Sequence, residues 1–300
     1  MSSLSSPAPP PPNPYWACRS SSPAASHVVD NAPYLPSVSV ARGLPPAELL
    51  SEVLSLLANV ASIPSPDPSP VTNNLGAPGW LTSPSALPPA SSWSVRAVSG
   101  GLTNDLYLVN CSEMPLGEAG EGVLLRLFGG DGVIDRDRET STFAALCRDG
   151  IGHAYLGRFG NGRFEGFLSG YKNLLCPDLS DPTNSKMIAG QFALMHRFQP
   201  PPPYLSAVYP PESALWDDLE TWSKASKAAI KDKTYKTAAD QSRAELVDFA
   251  WAEATLSRCR GFLEDPGRSS PPAIKFCHND LLAANIMTGE GGKTRLIDFE

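Results

Sequence analysis

The chain has 300 residues, 42% of them hydrophobic, which is enough for one large or two modest domains. A formal net charge of −7 with no run of like charges argues against a nucleic-acid surface, although a few local cations suffice to hold a nucleotide. The six cysteines (18, 111, 147, 176, 259, 277) form no C-x-x-C pair and no Cys/His ligand spacing, so they read as reduced thiols of a cytoplasmic protein, and no apolar stretch is long enough to span a bilayer.

Residues 1–45 are dominated by Pro, Ser and Ala, with four prolines in a row at 9–12. Such a segment cannot bury enough apolar surface to offset its ordering entropy and is predicted to be disordered. A polyproline ligand would need a spaced basic anchor, which is missing. A transit peptide would need more cations than the single Arg19. From 46 to 62, Leu50, Val53, Leu54, Leu57 and Val60 recur at helical spacing between Pro46 and Pro64, which predicts an amphipathic helix. A second Pro/Ser-rich stretch, 64–92, follows.

Strands predicted at 93–98 and 105–110 flank the turn Ser99-Gly100-Gly101-Leu102-Thr103-Asn104. Glycines at a hairpin tip let backbone N–H groups approach phosphate oxygens, with Thr103 and Asn104 side chains helping. By itself the same run is an ordinary hairpin turn. The next strand, 123–128, is apolar except for Arg126. A buried Arg is costly unless paired, and the expected partner is Glu139 on a helix predicted over 135–147. Strands at 151–159 and 162–168 are joined by Gly160-Asn161-Gly162. Helices are then predicted over 185–198, 215–230 and 244–263, with His196 as a structural residue near a helix C-terminus. No internal repeat is visible.

The last stretch, K-F-C-H-N-D-L-L-A-A-N-I-M-T-G-E-G-G-K-T-R-L-I-D-F-E, carries the chemistry. A strand around Phe276 is predicted to lead into a loop holding His278, Asn279 and Asp280. A second strand, 294–299, follows the glycines at 289, 291 and 292 and brings Asp298 back beside Asp280 and Asn285. Asn285 and Asp298 offer hard oxygens suited to Mg²⁺, and Asp280 offers a carboxylate able to take a proton from a hydroxyl. His278 and Asn279 are read as structural support for the loop. H-x-D-x-x-x-x-N followed by D-F is the kinase arrangement of base, metal-holding Asn and metal-holding Asp.

H-N-D-L-L-x-x-N-I with L-I-D-F-E resembles the choline/ethanolamine kinase family, and Leu281-Leu282 with I-D-R-D-R-E at 134–139 is more similar to its ethanolamine kinases. The resemblance covers roughly 47–300, with P-G-W at 78–80 as a further match. It implies an α+β, bilobal protein-kinase-like fold: a β-rich N-lobe over 46–168 with a 64–92 insertion, and a mainly helical C-lobe over 169–300. It further implies that ATP with Mg²⁺ phosphorylates ethanolamine, the first step of phosphatidylethanolamine synthesis. Asp280 would be catalytic, and Asn285 and Asp298 would hold the metal. Gly100, Gly101, Thr103, Asn104, Arg126 and Glu139 would hold the nucleotide's phosphates, and backbone groups at Gly166 and Leu168 its adenine. In the family a further helical portion supplies the amine pocket, which would lie beyond Glu300. Choline or both amines as substrate, and a catalytically silent nucleotide-binding scaffold or fragment, stay open as alternatives.

Overall fold

A computed structural model describes residues 34–61, 87–99, 104–114, 116, 122–129, 136–198, 215–232, 235, 237–267 and 276–299. The described residues fall into two compact units, one spanning 1–200 with 277–300 and the other 201–276.

The first unit is organised on a mixed sheet. Its strands are β1 (Tyr34–Leu35), β2 (Trp93–Val98), β3 (Asp105–Cys111), β4 (Val123–Leu127), β5 (Tyr155–Phe159) and β6 (Gly162–Gly166), in the order β1-β5-β6-β4-β3-β2. Every pairing is antiparallel except β1 with β5. Directly opposed residues share a face, so the register separates the side chains into two sets. One set, including Val95, Val109, Val123, Leu125, Leu127 and Phe164, is apolar. It packs on α1 (Pro46–Ala61), whose Leu49, Val53, Leu56, Leu57 and Val60 complete the core. The helix expected at 46–62 is thus present, with Leu50 and Leu54 flanking the buried stripe rather than forming it.

The opposite face is charged. Arg126 stands opposite Arg163, which stands opposite Arg158, and Glu165 lies in the next row across from Leu124. All four side chains are buried, and α2 (Arg136–Arg148) brings the buried Glu139 among them. Gly162 is needed for this approach of β4 and β6, because a Cβ there would come within 2.3 Å of the Arg126 carbonyl oxygen.

The structure departs from the sequence expectation at three places. Residues 34–45 were expected to be disordered with the rest of 1–45. Instead β1 joins the sheet, Val40 is buried, and the Asn161 side chain bonds both the Val40 N–H (3.0 Å) and C=O (2.7 Å). Arg42 then forks onto Asp105 at 2.7 and 2.9 Å, holding that carboxyl below its ordinary range. Residues 1–33 and 62–86, the latter holding 64–86 of the expected 64–92 insertion, lie outside the described residues. Second, Phe276, Cys277 and His278 are not in a strand, and 268–275 before them lie outside the described residues. The hairpin that follows consists of β8 (Ile286–Thr288) and β9 (Thr294–Leu296), and β8 also pairs with β7 (Lys172–Asn173) in a second, three-stranded sheet. Gly291 and Gly292 turn that hairpin at positive φ, 69° and 73°, where a side chain is disfavoured.

Third, the helix expected over 244–263 is two. In the second unit α4 (Leu215–Asp232) is followed by α5 (Ala238–Glu245) and α6 (Phe249–Leu263), and the Asp248 carboxylate accepts from the Trp251 N–H at 2.8 Å to start α6. In the first unit α3 (Pro182–Met195) begins three residues before the expected 185, at an Asp181 cap followed by proline.

Candidate active site

The loop after Cys277 is held by bonds that leave little freedom. Asn279 sits at φ 66°, and the Leu282 N–H reaches back to the Asp280 carbonyl at 3.1 Å. A single 3₁₀ turn, Ala283–Asn285, carries the chain into β8. The hairpin returns it to Ile297, which is bonded on both sides. Its N–H donates to the Asn285 carbonyl (3.0 Å), and its carbonyl accepts from His278 Nε2 (2.9 Å). His278 thus ties the loop to the strand end at Ile297. Burial pushes its pKa below the ordinary value, so it stands neutral with the proton on Nε2. The Phe299 ring packs on His278 (5.1 Å between centroids) and on Phe143 of α2 (6.5 Å).

These bonds gather the three expected side chains. Asn285 Nδ2 donates to the Asp280 carbonyl (2.8 Å) and to Asp280 Oδ2 (3.1 Å), which orients the exposed Asp280 carboxylate. Asp298, also at φ 66°, aims Oδ1 at Arg126 Nη1, 3.1 Å away. A non-glycine residue held in the left-handed region costs of order 1–3 kcal/mol and persists only where the surroundings over-determine it. The donor set fits a hard divalent cation. With its amide N–H groups turned to Asp280, Asn285 keeps Oδ1 as an acceptor, and Asp298 Oδ2 has no hydrogen-bond partner among the described residues. An amide oxygen and a carboxylate, completed by phosphate oxygens and water, are the ligands Mg²⁺ uses.

The expected pairing of Arg126 with Glu139 is not formed. Arg126 Nε bonds Glu165 Oε1 at 2.7 Å, while Glu139 is taken up by Arg163 (2.9 Å) and Arg136 (2.7 Å). The reason is the register: Glu165 is two residues from Arg163 on the same face of β6, the strand paired directly with β4. Burial alone would raise the Glu165 pKa, but Arg126, Arg163 and His153 hold it well below the carboxylate range. Glu165 and Arg163 are the residues the sequence reading passed over, although R-F-E in a buried strand was the signal.

Of the other expected contacts, Gly100, Gly101 and Thr103 lie outside the described residues. The Asn104 side chain is buried, and its Oδ1 accepts from the Gly129 N–H at 3.4 Å, tying the start of β3 to the end of β4. The Gly166 N–H is spent on the Ala154 carbonyl (2.8 Å), and the Leu168 carbonyl accepts from Tyr171 N–H (3.3 Å). A groove of about 550 Å³ lies along β2 and the end of β3, lined by Ser94, Arg96, Leu108, Asn110, Cys111 and Phe167. The sequence reading did not single it out.

The choline/ethanolamine kinase family matches residues 95–300, more than half of the chain and all of this site. The chain belongs to that family. Among curated relatives it is 33% identical over 214 residues to the probable ethanolamine kinase of Arabidopsis thaliana, covering 70% of this chain and 52% of that one. It is 32% identical over 212 residues to probable choline kinase 2 of the same plant, covering 69% and 53%. The chain thus spans about half the length of these relatives. Among solved structures, Plasmodium vivax ethanolamine kinase superposes with a TM-score of 0.60 at 22% identity, over 90% of this chain and 72% of that one. Choline kinase from Cryptosporidium parvum gives 0.53 at 20%, over 75% and 61%. The fold is the mixed α+β, protein-kinase-like phosphotransferase fold.

Proposed function

We propose that the chain carries the catalytic loop and phosphate-binding face of an ethanolamine kinase, which transfers the γ-phosphoryl of ATP to the hydroxyl of ethanolamine. The product would be phosphoethanolamine, the first intermediate of the CDP-ethanolamine route to phosphatidylethanolamine, made in the cytoplasm. No described helix is long and apolar enough to cross a membrane. The observation that carries the reading is the convergence of Asp280, Asn285, Asp298 and Arg126 on one small region.

In this reading Asp280 orients the substrate hydroxyl and accepts its proton, while Arg126 meets the phosphate oxygens with its Nη edge. Asn285 and Asp298 would hold Mg²⁺, which when bound neutralises charge on the phosphates. Gly100, Gly101 and Thr103 would close over the phosphates from the turn before β3, with Asn104 anchoring that turn. Gly166 and Leu168 would border the adenine. His278 and Asn279 shape the loop. Preference for ethanolamine rests on Leu281-Leu282 and the 134–139 run. Relatives named for either amine have similar identity, so choline, or both, is the second reading.

The test is turnover with Mg·ATP and each amine. Asp280→Ala should lower phosphorylation by about 10²–10⁴-fold, the usual contribution of a positioned base, while nucleotide affinity stays within a few-fold. Retained turnover would remove Asp280 from the chemistry. Nucleotide binding with no transfer to either amine would favour a silent nucleotide-binding scaffold.

A further inference from the structure

We propose that Glu165 is the positioning residue for Arg126: it grips the Nε edge of the guanidinium and thereby aims the Nη edge at Asp298 and the phosphates. The functional half of this inference rests on the kinase reading. The geometrical half does not.

Three arginines stand side by side across β4, β6 and β5, namely Arg126, Arg163 and Arg158, each 6% exposed or less. Like charges directly opposed across strands repel, and burial denies them water. Glu165, with no exposed surface, answers two of them with one oxygen: Oε1 lies 2.7 Å from Arg126 Nε and 2.6 Å from Arg163 Nε. Its other oxygen, Oε2, faces His153 Nε2 at 3.0 Å. A guanidinium is planar and rigid, so a short bond at Nε narrows the directions open to the remaining nitrogens, and a second bond at Nη1 selects among them. Here Nη1 reaches Asp298 Oδ1 at 3.1 Å. Glu139 cannot take over this task while it serves Arg163 and Arg136. The arm is therefore aimed by a neighbouring strand of its own sheet and not by helix α2.

Glu165→Asp keeps the charge and withdraws the carboxylate by one methylene, so the tightly shared Oε1 position is lost while the ionic balance of the cluster stays. Mg·ATP dissociation constants would be measured on the full chain for the parent, Glu165→Asp, Arg126→Lys and the double variant, with thermal melting as a check on folding. The expected result is at least a tenfold loss for Glu165→Asp in the parent, and less than twofold when the Arg126→Lys change is already present, because Glu165 acts through the guanidinium. Equal losses in both backgrounds, or a parent-like affinity for Glu165→Asp, would overturn the proposal. In parallel, nitrogen-15 NMR of the nucleotide-free chain reads the Arg126 Nε–H. Slow exchange with solvent in the parent and fast exchange in Glu165→Asp support the grip, and unchanged exchange refutes it. If the parent binds no Mg·ATP, the kinase reading fails, and the NMR comparison still decides the clamp.

Discussion

At the scale of single residues, the site is set by where hydrogen bonds and charges leave each side chain no alternative. Asp298 has its carboxylate divided between Arg126 and an open oxygen, so Asp298→Asn should weaken metal engagement while the backbone stays in place. Titration of activity with Mg²⁺ should show the half-saturating concentration rising by about tenfold or more, in proportion to one charged ligand lost. An unchanged midpoint would take Asp298 off the metal. His278 carries a pH dependence. Its pKa is lowered in the fold by burial, so at acid pH the unfolded chain binds the extra proton first and stability rises with pH. The contribution is full above about 6.5, the ordinary histidine value, and is lost progressively as pH falls below it. Melting curves between pH 5 and 8 should show this slope in the parent and a shallower one in His278→Gln, whose amide reaches about as far as Nε2 and can still donate to the Ile297 carbonyl. Identical slopes would mean that His278 does not titrate on unfolding.

The elements divide into those whose period is written plainly and those whose ends depend on a single cap or pairing. The strands at 93–98, 105–111, 123–127 and 162–166 were legible because short apolar runs alternate with glycine turns. The helix at 46–61 was legible by its stripe, and its burial can be tested. Leu57 is fully buried between α1 and the sheet, so Leu57→Ala should cost about 2–5 kcal/mol in denaturant melts, the range for a large-to-small change in a core. A loss under about 1 kcal/mol would mean that α1 is not an integral layer. Elsewhere tertiary pairing overrode composition. Tyr34, Leu35 and Val40 are scattered among Pro and Ser, and nothing local says that the edge of β5 will receive them. The break at Leu246–Asp248 hid inside a continuous helical period, although an Asp before Phe249 was a readable cap. The motif loop was legible from spacing alone, whereas the partner of Arg126 was not. A cross-strand neighbour is fixed by register, and register is invisible until the sheet is assembled.

Across the whole molecule the two compact units differ in how they treat apolar surface. The first buries its core under α1, while none of the described residues between 215 and 267 is buried, and Leu246, Trp251 and Phe262 are 82%, 65% and 68% exposed. Large side chains so exposed promote self-association. The apparent mass of the chain by light scattering should rise with concentration, and Trp251→Lys with Phe262→Lys should reduce that rise several-fold. A concentration-independent apparent mass for the parent would show that this surface is inert. The charged face of the sheet has a different consequence, one of entropy. A surface arginine gripping a ligand must give up its rotamers at that moment, a loss of roughly 2 kcal/mol for a side chain of this length. Arg126 gives them up when β4 and β6 pair, because Glu165 fixes it before any polyanion arrives. The conformational loss thus falls on folding, and an arriving anion meets a cation that has no disorder left to surrender.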